Sequence, residues 1–513
     1  MRLITNRSLL PRIVLALLAL SFSSARADVT LPKILSSHMV LQREKPVHVW
    51  GWSEPDEQVS LTLDRASQTT TGDKFGRWSI YLPPQPAGGP FELKIAGKNQ
   101  IVLSDVLMGD VWFASGQSNM EMPLKGFPGS AVVKNGAEEI AHASQPLVRL
   151  LVVDHKASAA PLTDLANQQS WTECTPETAA NFSAVGYFFG REIAADQHVP
   201  IGLIDSTWGG TPAEAWISLE GIAADASLMP LFASRAQMTK EQADLSFVLA
   251  AEKREDEAAR ARGLPAPKHP WRPDLASWDP AWLFNGMVAP AIEYPIKGVI
   301  WYQGESNADA TRAPLYEKVF GTLISDWRAH WGEGNFPFLF VQISSFNASP
   351  DADWPAVREA QRRTLKLANT AMAVSIDVGE PDNIHPADKQ AVGHRLALAA
   401  RAVAYRESVE YSGPAYREAS TEDKGVRVWF DHVARGLNAK GGALQGFAIA
   451  GEDRRFVSAT ATIDGASVLV TNQQVTRPKY VRYGWQNMPA VNLFNSAGLP
   501  ASPFTTENSG TKP

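Results

Sequence analysis

The stretch Val111-Trp112-Phe113-Ala114-Ser115-Gly116-Gln117-Ser118-Asn119-Met120 decides the fold. Residues 111–114 are a short apolar run, which reads as a buried strand, and the serine- and glycine-bearing turn after it leads into longer αβ units. The rhythm repeats downstream. Residues 201–204, 298–302, 338–343 and 371–376 read as strands; residues 182–196, the stripe Leu315, Val319, Leu323 and Trp327, and residues 356–367 and 387–404 read as helices. Strands alternating with helices predict a parallel sheet covered on both faces, with ligands held beyond the carboxyl ends of the strands.

Outward from this core the pattern changes. Residues 47–50, 59–63, 78–82 and 91–95 alternate apolar and polar positions between Gly, Pro and Asp, which predicts an N-terminal β-sandwich over residues 28–107. Strand patterns return at 426–430, 459–463 and 467–470, so residues 411–513 form a C-terminal β region and residues 108–410 the sheet domain between. A helical insertion spans about 221–285. Its charged, alanine-rich stretch 239–262 and Pro-studded loop 265–273 are either a lid or a solvated helix, and the solvated helix is the preferred reading.

The chain has 513 residues, 48 Lys plus Arg against 54 Asp plus Glu, and a formal charge of −6. At roughly 150 residues per domain this length suits about three units. A net-acidic chain without a basic run is a poor grip for a polyphosphate, so nucleic acid is not expected as a partner. Residues 1–27 carry Arg2, Arg7 and Arg12, an apolar run over 13–22 and Ala25-Arg26-Ala27, the pattern of a cleaved signal peptide. The apolar run is about half the roughly 20 residues that a bilayer needs. An exported protein, periplasmic or secreted and without stable membrane insertion, is expected. The single Cys174 cannot form an intramolecular disulfide, so packing must supply stability.

Four strand-end loops carry chemistry. In the first, the Ser118 hydroxyl would stand clear of the sheet and its backbone N–H could help bind an oxyanion; Ser115 is a rival, and Met120 replaces the second glycine of the G-x-S-x-G elbow. A serine nucleophile needs a base, and the base an orienting carboxylate. Of ten histidines only His385 has an aspartate three residues before it, Asp382. Glu139 and His142 form a nearby variant, read as a surface pair on a helix. Asn307, after Gly304, could donate to an oxyanion, and Gly209 or Gly210 could offer a backbone N–H. One loop alone could be only a turn; four together point to acyl transfer.

Gly116-Gln117-Ser118-Asn119-Met120, Gln303-Gly304-Glu305-Ser306-Asn307 and Asp382-x-x-His385 resemble the blocks of the SGNH hydrolase superfamily, in its sialate O-acetylesterase-like branch. The resemblance extends to residues 38–42, 208–216, 284–287, 481–485 and 498–500, almost the whole chain beyond the export segment. It implies a flavodoxin-like sheet domain flanked by the two β regions. Ser118 would be the nucleophile, His385 the base and Asp382 its partner, with an oxyanion hole of the Ser118 N–H, Gly209 or Gly210, and Asn307. Gln117, Trp208, Gln303 and Glu305 would face substrate, and neither metal nor organic cofactor is implied.

The implied activity is a carbohydrate O-acetylesterase, with sialate the first substrate and plant-wall hemicellulose (acetylxylan or xyloglucan) the alternative. A non-catalytic carbohydrate-binding protein is the competing class. A sialate carboxylate calls for Arg or Lys, whereas a neutral sugar calls for aromatic faces and hydroxyl contacts. Trp112, Trp208, Trp216 and Trp301 lie near the loops and would suit a sugar platform, or else fill cores.

Overall fold

The computed structural model describes residues 28–267 and 269–507; the expected signal peptide, residues 1–27, lies outside the described residues. A central sheet runs in the order Thr370–Val374, Phe338–Gln342, Gly298–Tyr302, Gln100–Gly116, Ile201–Thr207, Gln145–Val152 and Thr172–Cys174. The first six are parallel and the last is an antiparallel edge. From Gln100–Gly116 the chain builds one side of the sheet and then crosses to the other. The carboxyl end of that strand therefore sits where a doubly wound sheet leaves a crevice. Gly116 stands opposite Thr207 on one side and Tyr302 on the other, so three loops leave the sheet at one level.

Helices cover both faces. Ala184–Gln197 packs with Lys389–Val403, and Tyr316–Trp331 with Trp354–Thr364. In Lys389–Val403 the buried Val392, Leu396, Ala399 and Ala400 recur at helical spacing. Burying Val392 and Leu396 contributes about 1.5–3 kcal/mol each. The helix starts at Lys389, capped by the Asp388 side chain on Ala391 N, two residues beyond the expected start at Ala387.

The border expected at residue 107 falls inside a single strand of 17 residues, Gln100–Gly116. Its first half pairs antiparallel with Gly88–Ala96 of the N-terminal β layer, and its second half is the middle of the parallel sheet. Exposure alternates early in the strand and then gives way to continuous burial. The rhythm of the sequence changes because the environment does, while the backbone continues. N-terminal and central domains accordingly share one apolar core. The strand Gln145–Val152, which the sequence reading passed over, pairs with Ile201–Thr207.

The insertion is two helices, Pro230–Asp244 and Ser246–Ala261, broken at Leu245; the second has no buried residue, in keeping with a solvated element. The C-terminal region is three antiparallel sheets, of four, two and four strands, around a core of its own that includes Val428, Phe447, Val470, Val481 and Phe504. Among the described residues no helix is long and apolar enough to cross a membrane.

Candidate active site

Ser118 opens the short helix Ser118–Glu121 directly after the central strand. The turn needs Gly116: its φ is +130°, and a Cβ there would lie 2.2 Å from Tyr302 O. The Gln117 side chain fastens the turn to its neighbour, Oε1 accepting from Gly304 N and Ser306 N. Across the cleft His385, on the loop after the edge strand Thr370–Val374, brings Nε2 to 2.8 Å from Ser118 Oγ. The hydroxyl therefore donates to an imidazole that can take its proton. Ser115 is no rival: it lies within the strand, wholly buried, its Oγ without a partner.

Asp382 is not brought to His385. Its carboxylate is exposed and has no hydrogen-bond or ion-pair partner among the described residues. The cause is the turn that carries it. Asn383 Nδ2 donates to Glu380 Oε2, Asn383 Oδ1 accepts from His385 N, and Glu380 Oε1 accepts from Ala387 N. Glu380 and Asn383 pair as a bridge, so Pro381 and Asp382 form the tip and point to solvent. Phe127 instead meets the His385 ring edge-on at 5.2 Å. Glu139 and His142 lie at the surface around a helix end but do not form the expected pair: Glu139 pairs with Arg191, and His142 Nδ1 donates to Glu138 O.

As first residue of its helix, Ser118 has a backbone N–H without an intrahelical acceptor. Gly209 faces it: a Cβ on Gly209 would sit 3.2 Å from Ser118 Cβ and 2.7 Å from Glu121 Oε2, so the glycine packs closely against the serine. Gly210, at φ +72°, turns beneath Trp271 and gives its carbonyl to Trp278 Nε1 at 2.7 Å. Neither glycine N–H has a partner among the described residues. Asn307 is wholly buried behind this wall. Its Oδ1 accepts from Ala213 N and Gln303 Nε2, and its Nδ2 donates to Glu214 Oε2 at 2.8 Å. One amide hydrogen of Asn307 remains unassigned to any protein acceptor.

A buried charged network backs the Ser118–His385 pair. Lys389, fully enclosed, donates to Asn119 Oδ1; Asn119 Nδ2 donates to Glu305 Oε1 at 2.6 Å and to Ile384 O. Burial pushes the Lys389 ammonium down to about 7. Burial also raises Glu305, whose Oε2 has no partner. Burial, helped by the Lys389 charge, pushes His385 down to about 4. On the opposite side of Ser118, Glu121 pairs with His155 Nε2 at 2.9 Å, and the His155 ring stacks on Trp208. Burial is the largest influence on His155 and opposes its charge, but the bond to and charge of Glu121, with the Thr207 backbone and Asp205, together outweigh it and raise the imidazole.

Ser118 and His385 line a cavity of about 790 Å³. Its aromatic walls are Phe127, Trp271, Trp278 and Trp354, and its carboxylates Glu121, Glu305, Asp309 and Asp351. No Lys or Arg is among the described lining residues. Of the expected substrate-facing residues, Gln117 and Glu305 reach the wall. Gln303 is buried scaffold, held by Tyr316 and Asn307, and Trp208 lies behind Ser118 against His155. Trp112, Trp216 and Trp301 are core residues. The tryptophans that form the cavity come from the insertion loop and from the start of the Trp354–Thr364 helix, segments in which the sequence pattern marks no site. The insertion thus supplies a wall, through Trp271 and Trp278, although its second helix is solvated.

A serine and a histidine at the carboxyl ends of a doubly wound sheet, facing an open cleft, define a serine ester hydrolase of the SGNH type. Residues 273–402 match the family described as carbohydrate esterase, sialic acid-specific acetylesterase. The mouse protein named sialate O-acetylesterase is 34% identical over 78% of this chain and 78% of its own, and the human one 32% identical over 78% and 76%. The structure of a carbohydrate acetylesterase from Xanthomonas citri superposes with a TM-score of 0.80 at 39% identity, over 94% of this chain and 100% of that one. The chain belongs to the sialate O-acetylesterase family and is an ester hydrolase.

Proposed function

We propose that this protein removes O-acetyl groups from carbohydrates through Ser118 and His385. The observation that carries the reading is the 2.8 Å contact of Ser118 Oγ with His385 Nε2 in the wall of an aromatic-lined cavity. Ser118 Oγ attacks the acetyl carbonyl carbon as His385 Nε2 takes its proton. The tetrahedral intermediate collapses, breaking the ester bond, and the departing sugar oxygen takes that proton. Water then attacks the acetyl-enzyme, again giving its proton to His385, and acetate leaves as Ser118 Oγ is reprotonated. The oxyanion donors are the N–H groups of Ser118 and Gly209 and the remaining amide hydrogen of Asn307; Gly209 is preferred to Gly210 because it packs against Ser118. In this reading His385 works without a carboxylate partner, and Asp382 is outside the mechanism. The basic, apolar and small-residue pattern of residues 1–27 supports export.

Acetylated sialic acid is the first substrate reading, supported by the names and extent of the relatives. The charge of the cavity favours a second, acetylated hemicellulose: among the described residues four carboxylates and no Lys or Arg line it, and a sialate carboxylate would meet like charge there. Acetate release from acetylated sialic acid, acetylxylan and acetylated xyloglucan separates the two. Ser118→Ala should abolish release while leaving the fold intact, and a fluorophosphonate should label Ser118 in the wild type. Failure to label would favour a carbohydrate-binding protein instead.

A further inference from the structure

The catalytic cavity does not end at the sheet domain. Asp351 and Ala352, in its wall, also line a second hollow of about 600 Å³ that reaches Trp485 and Gln486 of the C-terminal β region. Trp485 and Gln486 in turn line a third, of about 410 Å³, cut into that region beside Phe456 and Arg482. Each hollow shares lining residues with the next, so the three adjoin as a track of neighbouring hollows from Ser118 across the domain junction. The junction is fixed. The buried Arg358 donates to the carbonyls of Ile343 and Ser344 on the catalytic side and of Gln486 and Asn487 on the other.

The far end is suited to sugar rings. Trp485 is half-buried, and its indole N–H has no partner among the described residues. The Arg482 guanidinium lies 4.8 Å from the Trp485 ring and 4.0 Å from that of Phe456, which holds the two rings in place, while its own charge is met by Glu507 at 2.7 Å. Along the whole track the charged residues among the described lining are Glu121, Glu305, Asp309, Asp351, Asp353 and this one neutralised arginine. Such a surface repels a polyanion and offers hydroxyl acceptors and aromatic faces to a neutral chain.

We propose that the C-terminal β region is part of the substrate site: with the acetylated residue at Ser118, further residues of a neutral saccharide chain extend along this track to Trp485. The proposal rests on the carbohydrate O-acetylesterase reading and adds the chain length and charge of the substrate to it.

The test compares kcat/KM of the full-length protein on p-nitrophenyl acetate and on singly acetylated neutral oligosaccharides, such as xylo-oligosaccharides, of one to about six residues. Wild type should gain about tenfold from the shortest to the longest, the worth of one lost aromatic contact, and Trp485→Ala should abolish that gain. If Trp485→Ala does not fold, Phe456→Ala gives the same readout. Equal kcat/KM at every length, or a gain that survives the substitution, overturns the track. Faster turnover of an acetylated oligosialic chain overturns its neutral character. Turnover of p-nitrophenyl acetate but of no acetylated sugar overturns the carbohydrate reading itself, a result distinct from the others.

Discussion

Asn307 hands an amide hydrogen to the buried carboxylate of Glu214, 2.8 Å away, and Glu214 is held in turn by Arg312 Nε at 2.9 Å. Both partners are inaccessible to solvent. The side chain expected at the oxyanion thus also ties the 303–307 loop to Ala213 and Glu214, and its two duties can be separated.

Asn307→Ala should lower kcat on p-nitrophenyl acetate by about 10²–10³ if the free hydrogen serves the oxyanion. It should also lower stability by about 1–3 kcal/mol, because it strands the buried Ala213 N–H and one oxygen of Glu214. Asn307→Asp sets two carboxylates together and should lower Tm further. Full stability in the alanine variant, measured by denaturant titration, would refute the scaffolding part.

Asp382→Ala should cost less than about tenfold in kcat, against roughly 10⁴ for a triad carboxylate that orients its histidine. The expectation follows from the Glu380–Asn383 turn, which sends Asp382 to solvent. A loss of a thousandfold or more on p-nitrophenyl acetate, with Tm unchanged, would mean that the turn rearranges to deliver the carboxylate.

Because His385 is held down at about 4, the base stays neutral through mildly acidic pH, and the acid limb of kcat/KM should fall near pH 4. Lys389→Met removes a positive charge that helps to depress it, so that limb should move to higher pH. The sign for stability follows from the same shift. The folded value lies below the unfolded value of about 6.5, so this contribution is complete above that pH and is lost as pH falls toward 4. Wild type whose acid limb stays near 6.5 would contradict the burial argument.

Legibility in the sequence followed the range of the interaction. The strand Gly298–Tyr302 and the helices around Val185, Val319 and Val392 are written in local periodicity, and the structure has them at nearly the expected bounds. The meeting of Ser118 with His385 was also legible, because a parallel sheet gathers its strand ends. Asp382 stands away from His385 because a three-residue spacing gives separation along the chain but not the direction of a turn, which Glu380 and Asn383 set here. The strand Gln145–Val152 was missed because Pro146 and Arg149 interrupt its apolar run; Arg149 is buried against Asp105 of the long central strand. Trp271 and Trp354 reach the cavity only through tertiary folding, and no local pattern marks them.

Arg358 provides the last prediction. The C-terminal sheets have a core of their own, so they can hold together without the rest, and the buried guanidinium is a strong polar tie across the junction. Arg358→Met fills much of the same volume but removes donors from four carbonyls. Ser344 O keeps Trp354 Nε1 and Asn487 O keeps Phe346 N, whereas no other hydrogen bond to Ile343 O or Gln486 O is present among the described residues. Hydrogen bonds to a charged group contribute about 1.5–3 kcal/mol each, so the junction should weaken by at least about 2 kcal/mol. Calorimetry should then resolve two transitions, with the C-terminal unit separating from the rest. A single transition at the wild-type temperature would show that apolar contact alone couples the domains.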